Sequence, residues 1–160
     1  MVGKYEELNI DGEMYPIVYN NIVTRNIQEE FGTISEWSRI FETVARDDIG
    51  NILEDKVNGI PVCVDGVQVL NEDGTIFLAK QKEIKIDDVA RTFMLMINEG
   101  IRQYNKDAVT KKHYIDRDDA CELLGYIDGK QAITDLVTKS MPKNDDAEDK
   151  SKNAQAEQNQ

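Results

Sequence analysis

Apolar and polar residues alternate from Tyr5 to Tyr19 around Asp11-Gly12, a dipeptide that tolerates the positive φ angles of a two-residue turn. The pattern predicts a β-hairpin. Pro16 has no backbone N–H, so its strand belongs at a sheet edge or at a bulge. Ile22, Val23, Ile27 and Phe31 then share one face of a helix that Gly32 can end. Thr33 followed by Glu36 has the spacing of a capping box and starts a second helix. Trp37, Ile40, Phe41 and Val44 line its apolar face. Ile49, Ile52 and Leu53 can extend the same period to about Lys56, where Asn58-Gly59 and Pro61 stop it.

Three β-rich runs follow, Ile60 to Val64, Val67 to Leu70 and Thr75 to Ala79, separated by the turn signals Asp65-Gly66 and Asp73-Gly74. They predict an inserted hairpin or small meander over residues 59–80. It is either a solvent-edge embellishment or a partner-binding flap, because a hairpin edge can add a strand from another chain.

The longest helical signal runs from Ile86 to about Tyr104, with Asp87 and Asp88 at its electropositive start. Five consecutive apolar residues, Phe93 to Ile97, cover its whole circumference, so it must be packed on more than one side. Gly100 within it costs about 1 kcal/mol relative to Ala and suits a close approach by a neighbour. Asp116 with Asp119, and Asp128 with Gln131, start two short helices carrying Ala120, Leu123, Leu124 and Ala132, Ile133, Leu136, Val137. From Pro142 onward the hydrophobic residues are three alanines, too few to offset the entropy of ordering. The expected organisation is one α+β domain, mainly α, over residues 1–141, with a helical core of four to five helices and a disordered acidic and polar tail over 142–160.

Charge narrows the function. The formal net charge is −12, from 31 acidic and 19 basic side chains, which disfavours phosphate-backbone binding and any nucleic-acid partner. No apolar run reaches the roughly 20 residues needed to cross a bilayer, and Met1 to Glu7 lacks the apolar segment of a secretion signal. A cytoplasmic protein without a membrane partner is expected. Cys63 and Cys121 have no CxxC spacing and are expected to be reduced core thiols.

Catalysis finds no support. His113 is the single histidine, and neither cysteine has a neighbour that would lower its pKa. A calcium loop starting at Asp116 would need Gly where Cys121 stands and Glu where Ile127 stands. No glycine-rich phosphate loop occurs. A non-enzymatic protein without cofactor or metal is expected.

Two segments carry a resemblance. Tyr15-Pro16-Ile17-Val18 leads into Asn26-Ile27-Gln28-Glu29-Glu30-Phe31-Gly32-Thr33-Ile34-Ser35-Glu36-Trp37, and Met94-Leu95-Met96-Ile97-Asn98-Glu99-Gly100-Ile101 follows far along the chain. They resemble the tail assembly chaperones of long-tailed bacteriophages and prophages of Gram-positive hosts, over roughly residues 8–46 and 86–140. Such proteins open with a hairpin ending in a Tyr-Pro-aliphatic step and carry a helix with aliphatic-Asn-Glu-Gly. The resemblance implies binding of the tape measure protein in the host cytoplasm, recruitment of tail tube protein, and absence from the finished virion. It also implies that a longer frameshifted product can share this reading frame.

Apolar residues suited to client contact or self-association are Trp37 and Phe41 on the second helix and Met94, Met96 and Ile101 on the long one, the thioethers adapting to varied apolar partners. Two other functions fit the composition: an acidic protein that mimics DNA to block a host nucleic-acid-binding protein, and a structural tail completion protein. Lys80, Lys82, Lys85, Lys111 and Lys112 interrupt the acidic pattern that mimicry needs.

Overall fold

A computed structural model describes residues 4–140. The tail, 142–160, expected to be disordered, lies outside the described residues. The chain opens with β1 (Glu6–Ile10) and β2 (Glu13–Ile17), antiparallel with Ile10 opposite Glu13. Asp11 and Gly12 both have positive φ, 52° and 84°, the turn geometry that matches strand twist in a two-residue hairpin. Pro16 sits opposite Glu7 in a sheet of two strands, where every strand is an edge.

Helix α1 (Asn21–Phe31) starts where the Asn20 side chain accepts from Val23 N, and it buries Val23 and Ile27. Helix α2 (Ile34–Arg39) is capped by Thr33, whose hydroxyl accepts from Glu36 N. The central helix α3 (Ile86–Asp107) is followed by α4 (Arg117–Leu123) and α5 (Gly129–Ser140). Asp116 and Asp119 form a full capping box, and Asp128 accepts from Gln131 N. The hairpin, α1, α4 and α5 surround α3, whose Val89, Ala90, Phe93, Met96, Ile97 and Ile101 are the centre of the core. These elements make an α+β fold, mainly α.

The region between α2 and α3 departs from the helical expectation. Helix α2 stops at Arg39, and Val44 pairs with Gln81 instead of continuing an apolar helical face. Ala45 N donates to Lys80 O (2.9 Å) and Lys82 N to Thr43 O (2.8 Å). Ile49 is exposed in a turn where Asp47 accepts from Ile49 N and Asn51 N. β-branched residues at 44, 49 and 52 fit a pleated surface, and Asp47 offers the backbone a turn in place of a helix.

The β region therefore begins at Thr43 rather than residue 59. It contains β3 (Ile60–Pro61), β4 (Cys63–Val64), β5 (Val67–Gln68) and β6 (Leu78–Ala79). β3 pairs with β6, β4 with β5, and Leu70 with Ile76, while Glu54 also pairs with Ala79. Asp65 and Gly66 repeat the positive-φ turn of the first hairpin. Ala79 is the buried core residue of this module, and its remaining apolar side chains are half-buried or exposed.

Candidate partner-binding surface

The two segments that carry the resemblance meet in space. Gly100 lies against the backbone of Pro16 and Ile17, so closely that a Cβ there would overlap both. Val18 N donates to Met96 O (3.2 Å), joining the end of β2 to the middle of α3. Only glycine permits this approach, because the atoms in the way are backbone and cannot swing aside.

Glu99 supplies a second tie. Its side chain is 2% exposed and accepts from Asn20 Nδ2 (2.8 Å), Arg102 Nε (2.5 Å) and Nη2 (3.0 Å), and Gln103 Nε2 (2.8 Å). Burial pushes its pKa upward, but the hydrogen bonds from Arg102, Asn20 and Gln103, with the Arg102 charge, outweigh it and hold the carboxyl at about 2. Asn20 thus caps α1 with its oxygen and binds α3 with its nitrogen.

Asn98 completes the motif. Its amide donates to Ile115 O and accepts from Ile115 N, both 2.9 Å. Asn105, two turns on, makes the same pair of bonds to Lys112. Together they hold the 108–116 connector extended along α3. Asn98, Glu99 and Gly100 are therefore joints between elements.

Of the five residues proposed for client contact, three belong to the core. Trp37 is 5% exposed, stacks with Tyr19 at 6.2 Å, meets Phe41 edge-on at 5.5 Å and donates from Nε1 to Thr92 Oγ1 (3.1 Å). Met96 and Ile101 are enclosed in the same core. An apolar helical stripe reads alike whether it faces the chain's own core or a partner, and here the hairpin and neighbouring helices cover it. Phe41 and Met94 remain half-exposed. Both cysteines, expected in the core, are exposed: Cys63 on the small module and Cys121 on α4. His113 is exposed in the connector.

Exposed large apolar side chains include Met14, Ile86, Val109, Tyr114 and Tyr126, but the greater number lie on the β module. Ile49, Val57, Val64, Val67, Leu70 and Ile76 are all exposed, and all belong to the β module. Leu70 and Ile76 are cross-strand partners, so their side chains stand together on one face, beside an open depression of about 530 Å³ that Ile76 and Leu78 help line. Alternation within each short strand hides this from sequence reading, since either face could have been the covered one. The density of β-branched residues with no amphipathic helix nearby to cover them was the available signal.

Among the described residues no group of three or more His, Cys, Asp or Glu side chains is placed to hold a metal ion, and no helix is long and apolar enough to cross a membrane. No protein-family model, curated protein or solved structure matches this chain.

Proposed function

We propose that this chain is a tail assembly chaperone of a long-tailed bacteriophage or prophage. In this reading it binds the tape measure protein in the host cytoplasm, keeps its long apolar helices from aggregating, helps recruit tail tube subunits and leaves before the virion is complete. What supports the reading is that the two segments resembling that family, 80 residues apart at Asn20 and Gly100, are packed against each other through Gly100, Glu99 and Met96. That the two segments form one joint is consistent with their serving a single architecture. A net charge of −12 also suits a protein that must keep an apolar client dispersed.

The test is co-expression with the long helical protein encoded beside it, followed by solubility and pull-down measurements, with purified virions assayed for this chain. Retention of a soluble client and absence from virions are the expected results. Presence in virions at fixed stoichiometry makes it a structural tail protein instead. Capture of basic nucleic-acid-binding proteins alone, with the neighbour left insoluble, makes it a DNA mimic.

A further inference from the structure

We infer that the open face of the β module, centred on Leu70 and Ile76, is the docking surface for a basic amphipathic helix of the client. The inference rests on the chaperone reading for the client's identity, and on the module's own surface for the rest. Leu70 and Ile76 are 55% and 47% exposed and adjacent, with Cys63 exposed and Leu78 half-buried on the same face by strand alternation. Adjacent exposed apolar side chains rimmed by polar groups are the kind of surface that marks an interaction site.

Charge selects the occupant. Over the β module, residues 43–82, seven acidic side chains, Asp47, Asp48, Glu54, Asp55, Asp65, Glu72 and Asp73, stand against four basic ones, Arg46, Lys56, Lys80 and Lys82. Glu72 and Asp73 line the depression beside Ile76, with Lys56, itself 3.6 Å from Glu54, as the cation there. Asp73 is held ionised below the usual carboxylate range, first by the Thr75 hydroxyl and then by the Thr75 N–H. A second copy of the chain would bring another −12 onto this rim, which like-charge repulsion opposes. Residues 142–160 carry five acidic and three basic side chains and no apolar residue larger than alanine apart from Pro142, so they cannot fill the face. An apolar helix face flanked by Lys and Arg matches both the patch and its rim.

Two helical peptides of about five turns serve as probes, each with a leucine face, one with lysine flanks and one with glutamate flanks. Titrated into the full chain, the lysine peptide should bind and the glutamate peptide should not, and binding should weaken as salt screens the rim. Leu70→Glu with Ile76→Glu should weaken the lysine peptide by about tenfold or more. Val109→Glu, at a fully exposed position on the connector, should leave it unchanged.

If the double variant loses its folded circular dichroism, Leu70→Ser with Ile76→Thr is read in the same way, since both side chains stay small and neutral. Equal binding of the two peptides, or wild-type binding by the folded variant, overturns the inference. Concentration-dependent dimerisation abolished by the same substitutions overturns it in favour of a second copy. A co-expressed client retained equally by wild type and variant removes this surface while leaving the chaperone reading in place. Peptide binding at this face with no client retained does the reverse.

Discussion

Glu99 shows how one side chain can serve as a joint. It is a buried carboxylate ringed by donors from α1 and α3, and its pKa of about 2 lies below the ordinary 4.5. Stabilisation from this depression is fully present above pH 4.5 and is lost as the pH falls toward 2. Its size is of order 3 kcal/mol, at 1.36 kcal/mol per pKa unit. Glu99→Gln should therefore destabilise the fold near neutral pH by roughly 2–3 kcal/mol, since it also leaves Arg102 without its counter-ion. Urea unfolding at pH 6 and pH 3 checks this: the gap between variant and wild type should narrow by roughly 1–2 kcal/mol at the lower pH. An unchanged gap would mean that Glu99 contributes by packing and not by charge.

At the scale of elements, the extended 108–116 connector depends on two asparagines of α3. The Asn98 and Asn105 amides each bond both backbone groups of one connector residue, Ile115 and Lys112. This is how a sheet edge would hold a strand, here performed by side chains seven residues apart on one helix face. Asn98→Ala strips both bonds from part-buried Ile115 and should cost about 1–3 kcal/mol. Hydrogen exchange should rise in residues 112–116 and stay unchanged in β1 and β2. Uniform acceleration across the chain would show that the clamp stabilises the whole fold rather than this element. The second helix teaches the complementary lesson. Its apolar period continues past Arg39, yet Val44 and Ala45 pair with residues 80–82, because distant strand partners outweigh a weak local preference.

Across the described residues, six of the exposed large apolar side chains lie on the β module, and Met14, Ile86, Val109, Tyr114 and Tyr126 lie elsewhere. Apart from Ala79 in β6, the buried core lies in the hairpin and the helices, and no residue from 60 to 77 belongs to it. Gly59 lies against Leu78, so the ends of that stretch nearly touch. Replacing residues 60–77 with two glycines should keep the helical circular dichroism and cooperative unfolding, with a midpoint shift of only a few degrees, because loop shortening changes closure entropy slowly. Loss of cooperative unfolding would show that the module supports the core from a distance. The same variant should lose the lysine-flanked peptide if the docking face is where Leu70 and Ile76 stand.

Local signals in the chain determined most of its elements. Asp11-Gly12 dictates a tight turn, Thr33, Asp116 and Asp128 each begin a helix, and the apolar circumference of Phe93 to Ile97 requires a central position for α3. These are interactions between near neighbours, so they are legible in order along the chain. The resemblance of the hairpin and Asn-Glu-Gly segments was likewise visible there, but their contact was not. Tertiary structure decided which apolar faces are covered: Trp37, Met96 and Ile101 inside, Leu70 and Ile76 outside, and both cysteines at the surface. The physical reason is that periodicity marks the face a residue shares, while burial depends on what other elements bring against that face.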